Sequence, residues 1–203
     1  MRLPVEPWET QRIRWPVSGR HVLAQFDAAT IVVYQAYRQE IGRFAVEHQR
    51  FGGAFSYGRM SWIKPNFLWM MYRSEWGTAE GQEVVLAVTL RREAFDGMLA
   101  AAVPSSFVPE RDADPAAWQE RVRTSEVRVQ WDPDHGPSGE RQERRALQLG
   151  LRGETLRRYG QEWIVRIDDV SDFVAEQRPN RVSGRRHGLL TPREEVYPAA
   201  AGV

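Results

Sequence analysis

The sequence of 203 residues contains no cysteine, which excludes disulfide scaffolds, cysteine nucleophiles and thiolate metal sites. It has only four histidines, and none of them forms an HxxxH or HxH pair, so we expect no metal site. No apolar run reaches the roughly 18 residues that span a bilayer, and the N-terminal stretch lacks the apolar segment of a secretory signal. These absences predict a soluble, cytoplasmic protein that does not enter a membrane.

Lysine is almost absent too, because Lys64 is the only lysine among 28 lysine and arginine residues. A GC-rich genome would explain this bias, yet lysine and arginine are not interchangeable at a tight binding site. Three of the eight tryptophans, Trp62, Trp69 and Trp76, lie close to Lys64 in the chain. The stretch from residue 59 to residue 76 is therefore the first place to look for a site.

The chain divides by composition into three parts. Residues 1–20 carry three prolines and scattered charge, which is typical of an extended N-terminal arm. Residues 21–177 alternate apolar strands with short helices and predict a single globular domain. Residues 178–203 are rich in arginine and proline, and we expect a flexible tail there.

The dense middle part predicts an α+β fold. Runs of β-branched, aromatic or alternating residues predict five strands or more, at 29–37, 83–91, 126–131, 146–151 and 162–168. Sharp alternation favours a mostly antiparallel sheet with one buried face, and short helices lie between the strands. The stretch 65–76 is apolar on nearly all sides, so we expect a buried helix. Dinucleotide and phosphate loops of the GxGxxG and GxxxxGK types are absent.

The candidate site lies at 56–76, where polar and aromatic residues are most concentrated. Cations among aromatic residues cost free energy unless they are paired or hold an anionic ligand. Arginine and lysine bind phosphate, and aromatic faces stack on rings, so the stretch predicts a ligand such as a nucleotide, NAD or a nucleic acid. The alternative is a core helix whose arginines form ordinary salt bridges. The candidate binding residues are Tyr34, Gln35, Arg59, Ser61, Trp62, Lys64, Tyr72 and Arg73.

At this stretch the chain resembles the uncharacterised domain-of-unknown-function family 4291. The motifs that carry the resemblance are VYQAY (33–37), RMSWIKPNFLWMMYRSEWG (59–77), VRVQWDP (127–133), LQLGL (147–151) and EWIVRIDD (162–169). The resemblance covers about residues 20–198 and implies no established activity.

The order of elements also resembles that of ADP-ribosyltransferase-like domains. Tyr34 and Gln35 lie in the first long strand, Ser61 precedes an aromatic helix, and Glu162 opens a late strand. This likeness implies NAD as cofactor, with its pyrophosphate on Arg59, Lys64 or Arg73 and its nicotinamide on Tyr34 or Trp62. Glu162 would be the catalytic residue that stabilises the oxocarbenium-like sugar. The chain departs from that pattern because its first strand has no arginine or histidine.

Several alternatives stay open. Glu162 also fits a solvated residue at a strand end, and the chain also fits a non-catalytic nucleotide-binding or nucleic-acid-binding module. Asp132, Asp134 and His135 would suit a metal or a general base, but more often such a proline-flanked cluster is a turn. The arginine-rich segment 141–158 would suit a phosphate backbone, yet interleaved glutamates and a net charge of +1 favour a self-paired surface.

Overall fold

The computed structural model describes residues 3–109, 112 and 114–199. The strands are β1 Val5–Pro7, β2 Gly19–Arg20, β3 Leu23–Ala24, β4 Thr30–Tyr37, β5 Ser61–Ile63, β6 Val84–Arg91, β7 Val103–Pro104, β8 Val127–His135, β9 Arg141–Leu151, β10 Ile164–Asp169, β11 Leu190–Pro192 and β12 Glu195–Val196. The α-helices are α1 Trp8–Arg12, α2 Gln39–His48, α3 Phe67–Arg73, α4 Arg92–Ala100, α5 Pro115–Thr124, α6 Gly153–Arg158 and α7 Ser171–Gln177. A π-helix spans Tyr159–Trp163, and 3₁₀-helices span Arg178–Arg181 and Ser183–Gly188.

Two main sheets organise these elements into one α+β domain, as predicted. The first has the order β10-β6-β4, and the second has the order β2-β9-β8-β7 with β5 paired to β9. Strand pairing is mostly antiparallel, and only the short pairs β2–β9 and β7–β8 are parallel within the described residues. Two small antiparallel pairs, β1–β11 and β3–β12, hold the first and last described segments against the domain.

The first sheet is buried on both faces, whereas the sequence predicted one buried face. Alternate residues of β4 lie in two different apolar clusters: Ile31 and Val33 pack on one side, and Val32 and Tyr34 on the other. The prediction of one polar face fits the second sheet better. There Leu147, Leu149 and Leu151 of β9 lie in the core while Gln148 stays partly exposed.

Helix α3 is buried, as its apolar composition predicts, but it is shorter than the predicted 65–76. The side chain of Asn66 caps its first turn by accepting a hydrogen bond from Trp69 N at 2.6 Å. The helix ends at Arg73 because Glu75 and Trp76 adopt positive φ angles of 51° and 59°, which turn the chain away.

Both ends of the chain depart from the predicted arm and tail. Residues 1–20 include helix α1, whose Trp8 is buried, instead of a wholly extended arm. Residues 178–199 are not a free tail, because β11 pairs with β1 and β12 pairs with β3. Leu189 and Tyr197 are buried there, so two apolar side chains outweigh the polar composition that suggested flexibility.

Strand β8 also runs further than predicted. The sequence suggested a turn at 132–137, but the strand continues to His135 with an irregular register between Pro133 and His135, and the turn follows it. Within the described ranges, no helix is both long and apolar enough to cross a membrane.

Candidate functional site

The candidate site lies where the two sheets meet and then separate. Strands β4 and β5 touch at one bridge, in which Tyr34 N donates to Lys64 O at 2.7 Å and Lys64 N donates to Tyr34 O at 3.3 Å. Beyond that bridge the Gln35 side chain fills the gap between the strands, donating from Nε2 to Trp62 O at 3.2 Å. The Gln35 side chain therefore takes the place of backbone hydrogen bonds between β4 and β5. The cleft opens at the point where these two strands diverge, which we call the fork.

Four side chains form a hydrogen-bonded network at the fork. Gln35 Nε2 donates to Tyr37 Oη at 2.8 Å and to Ser61 Oγ at 3.0 Å, and the two hydroxyls lie 2.8 Å apart. The fourth side chain is Tyr159, whose buried Oη donates to Gln35 Oε1 at 2.6 Å. Burial raises the pKa of Tyr37 and of Tyr159 well above the ordinary value, so both phenols are neutral at pH 7.

The cleft has a volume of about 470 Å³, within the usual range for small-ligand sites. Three of its lining side chains are cationic, Arg38, Arg59 and Lys64, and none of its described lining residues is acidic. Arg59 is exposed, and Arg38 forms an exposed ion pair with Glu40 at 3.2 Å. The other lining residues are Gln35, Ala36, Tyr37, Ile41, Ala54, Phe55, Ser56, Met60, Ser61, Trp62, Met70 and Gln82.

Lys64 is the unusual member of this lining. Its residue is only 6% exposed, and its ammonium has no hydrogen bond or salt bridge to any residue that the structure describes. Burial and, to a smaller extent, the positive charge of Arg73 lower the pKa of Lys64, Asp132 opposes them, and the net value is about 8. A lysine in such a place is a candidate functional group, because burying an uncompensated charge is costly.

Trp62 supplies an aromatic face. It is partly exposed in the cleft, and its indole lies against Gly150 of β9. A Cβ at Gly150 would approach Met60 Sδ to 2.7 Å and the Trp62 ring to 2.9 Å, so the glycine leaves room for both side chains against the neighbouring strand.

Five of the eight predicted binding residues line this cleft: Gln35, Arg59, Ser61, Trp62 and Lys64. The other three lie elsewhere. The Tyr34 side chain is fully buried on the opposite side of β4, edge-to-face against Phe67. Tyr72 and Arg73 are exposed on α3, and Arg73 influences the site only through its charge on Lys64.

Glu162 does not open a strand, which corrects the prediction. It lies in the π-helix 159–163, strand β10 begins only at Ile164, and the Glu162 carboxylate forms an exposed ion pair with Arg158 at 3.2 Å. It is not among the residues that line the cleft. A catalytic role for Glu162 stays a prediction.

The sequence reasoning missed Tyr37, Arg38, Gln82 and Tyr159. Tyr37 could have been predicted from the sequence, because residues two apart in a strand share a face and Gln35 was already a candidate. Arg38 follows directly at the end of the strand. Gln82 and Tyr159 are brought in by tertiary folding, and no local pattern marks them.

The cluster at 132–135 is used for internal contacts. Asp134 Oδ2 accepts from Arg144 Nε at 2.5 Å in a buried ion pair, and the His135 ring stacks on Tyr72 with centroids 3.6 Å apart. Burial is the largest influence on both groups, raising the pKa of Asp134 and lowering that of His135. No group of three potential metal ligands occurs in the part of the chain that the structure describes.

The arginine-rich segment 141–158 is divided between β9 and α6 and does not form one patch. Arg144 is buried, Arg152 donates from Nε to Ser125 O at 2.8 Å, and Arg158 pairs with Glu162. These arginines have internal partners, as a self-paired surface requires, but the partners lie outside the interleaved glutamates that the sequence suggested, and Glu140 pairs with Arg186 instead.

The chain belongs to the family described as Domain of unknown function (DUF4291), whose model matches residues 21–197. This match confirms the family resemblance and covers the whole cleft. A search of curated proteins gave no match.

Proposed function

We propose that the cleft binds a phosphorylated ligand with a planar ring, of the nucleotide class, and that NAD is the first compound to test. One observation carries the proposal: Arg38, Arg59 and Lys64 line a cleft whose described lining contains no carboxylate. A phosphate group placed there would find positive charge on more than one side, and its two oxygens would suit the arginine fork.

The energetics of Lys64 support this proposal. A buried ammonium without a partner is a net cost to the folded protein, and an anionic ligand would offset that cost. A structural salt bridge would do the same, but no described carboxylate reaches Lys64. The positive charge of Lys64 in the cleft is therefore not neutralised by any carboxylate that the structure describes.

The ring specificity is assigned to Trp62. Its side chain is partly exposed in the cleft, whose lining also includes the hydroxyls of Tyr37 and Ser61, which supply directional hydrogen bonds. Stacking of a base or nicotinamide on an indole is tolerant of ring type, so we expect Trp62 to contribute affinity and the hydroxyl pair to contribute selectivity.

The test is binding of NAD, ADP-ribose and AMP, measured by calorimetry and by the shift in melting temperature. We expect Arg59→Ala to weaken binding by about tenfold, because it removes a charge-assisted contact of roughly 1.5 kcal/mol. Arg43→Ala is the matched control, since Arg43 is an exposed arginine on the neighbouring helix α2 and lies outside the cleft lining. Equal binding by both variants, or no binding at millimolar ligand by folded protein, would overturn the proposal.

A second candidate, ADP-ribosyl transfer from NAD, is favoured by one contact. The π-helix that carries Glu162 also carries Tyr159, whose hydroxyl is bonded to Gln35 inside the site. Glu162 would have to leave Arg158 and turn toward the ribose to stabilise the developing positive charge. Release of nicotinamide by the wild type, lost in Glu162→Gln with NAD binding unchanged, would support this candidate. Binding of NAD without nicotinamide release would leave a binding module.

A further inference from the structure

Lys64 combines three properties that anion binding alone does not require. It is buried, it lines an open cleft, and its amine has no described partner that would occupy its lone pair. Arginines at a cleft surface are sufficient to attract a phosphate. A largely buried amine with no described partner beside them is instead the arrangement that favours a nucleophilic lysine.

We propose that Lys64 is a nucleophilic amine that forms an imine with the aldehyde group of a phosphorylated ligand, such as the open-chain form of a sugar phosphate. The proposal rests on the proposed function only in that Arg38 and Arg59 hold the phosphate. It adds a covalent step and a chemical class of ligand. Lys64 would then be the catalytic residue of the cleft.

The reaction balances without any other reactant. The neutral Nζ attacks the carbonyl carbon, a C–N bond forms as the C=O π bond breaks, and one nitrogen proton moves to the oxygen to give a carbinolamine. The C–O bond then breaks, the second nitrogen proton leaves with the oxygen as water, and the nitrogen lone pair forms the C=N bond of the imine. The Tyr37 and Ser61 hydroxyls line the same cleft and are hydrogen-bonded to each other, so they are suited to carry the proton to the oxygen.

The charges around Lys64 favour the neutral amine at mildly alkaline pH. Burial and the Arg73 charge on α3 lower the pKa of Lys64 to about 8, while Asp132 on β8 acts in the opposite direction. Arg38 and Arg59 are the other charged residues in the described lining of the cleft. An exposed lysine with its ordinary pKa of about 10.4 would be almost entirely protonated, and unreactive, at the same pH.

The sole lysine makes the test unusually clean. The full chain is incubated with pyridoxal 5′-phosphate, a phosphorylated aldehyde, and reduced with borohydride, and the modified peptide is identified by mass spectrometry. We expect labelling of Lys64, measured relative to the α-amino group, to be about tenfold greater with pyridoxal 5′-phosphate than with pyridoxal, which lacks the phosphate, and to rise with pH through a midpoint near 8. The α-amino group of the chain serves as an internal reference amine.

Two variants separate the anion from the amine. Lys64→Arg keeps the charge and should abolish labelling at this position, whereas Arg59→Ala should reduce labelling by pyridoxal 5′-phosphate toward the pyridoxal level. Labelling confined to the α-amino group, equal labelling by both aldehydes in the wild type, or a midpoint near 10 would overturn the inference. Binding of AMP without labelling of Lys64 would overturn the imine and leave the proposed function standing. Labelling of Lys64 without binding of any nucleotide would support the imine and overturn the proposed function.

Discussion

Two buried ionisable groups lie near the start of α3 and differ in their partners: Lys64 begins the segment that leads into the helix, and Glu194, from a distant part of the chain, contacts the end of that segment. Glu194 accepts hydrogen bonds from Phe67 N at 2.6 Å and from Asn66 Nδ2 at 3.1 Å. Lys64 is two residues before Asn66 and has no such partner among the described residues. Both residues are less than 7% exposed, so burial alone does not distinguish them.

The difference separates a structural group from a group available to a ligand. Glu194 ties the last described part of the chain to the start of α3, and its backbone is held as well, because Glu194 N donates to Gln11 Oε1 at 2.9 Å. Its side chain is enclosed. Lys64 is also costly to bury, but its side chain joins no described elements and it lines a cleft. Partners, more than burial, show which polar residues hold the fold together.

Glu194→Ala should produce the largest effect. We expect the free energy of unfolding to fall by about 3 kcal/mol, because the Asn66 amide and the Phe67 N–H lose their acceptor in a dry site and a cavity remains. Urea denaturation at pH 7 measures the change. Glu195→Ala is the control, since its exposed neighbour Glu195 should contribute no more than about 0.5 kcal/mol. Equal stability of the two variants would contradict the structural role of Glu194 and the contrast drawn between Glu194 and Lys64.

The pH dependence of stability should sharpen the comparison, with an effect of about 1–2 kcal/mol. Lys64 binds its proton less tightly in the folded protein, where its pKa is about 8, than in the unfolded chain, where it is 10.5. Between these values the unfolded state holds more protons, so stability rises with pH. We expect the free energy of unfolding of the wild type to rise relative to that of Lys64→Met between pH 7.5 and 9.5, as measured by urea denaturation of both proteins.

Glu194 changes the stability in the opposite direction as pH rises, and it does so equally in the wild type and in Lys64→Met. Burial raises its pKa well above the ordinary range, and the Phe67 N–H offsets this only in part. The folded state therefore holds a proton that the unfolded state loses above about pH 4.5, so this contribution is lost as pH rises. A stability difference between wild type and Lys64→Met that stays flat up to pH 9.5 would contradict the lowered pKa of Lys64.

Ser61→Ala should have the smallest effect, about 1 kcal/mol or less. Its Oγ is one of several partners in the fork network, and Gln35 and Tyr37 remain bonded to each other without it. Thermal unfolding measures the stability, and the proposed role predicts a larger loss in ligand affinity than in stability. Ser56→Ala, at an exposed residue of the same lining, is the control. A loss of stability above 2 kcal/mol would make Ser61 a structural residue like Glu194.

The contrast between the two groups also shows what the sequence could predict. Lys64 was found because it is the only lysine and lies among tryptophans, and the strands β4 and β6 were found because their apolar runs are unbroken. These are local signals, read over about ten residues. They predicted the α+β class and five of the lining residues of the cleft.

The partners of Glu194 and Gln35 gave no local signal. Glu194 looks like one charged residue in a polar segment, and only the pairing of β12 with β3 places it at α3. Tyr159 reaches Gln35 across 124 residues of sequence, and the π-helix that positions it replaced the expected start of a strand. Long-range pairing decided these positions, and propensity does not report on it.

The cap on α3 also sets an order of events during synthesis. Phe67 and Asn66 leave the ribosome more than 120 residues before Glu194 does, so the carboxylate that satisfies them is missing during most of translation. Strand β1 likewise waits for β11, which is made more than 180 residues later. We therefore expect the start of α3 and strand β1 to lack these partners in the nascent chain until residues 190–194 have emerged, so that both sets of contacts form late in folding.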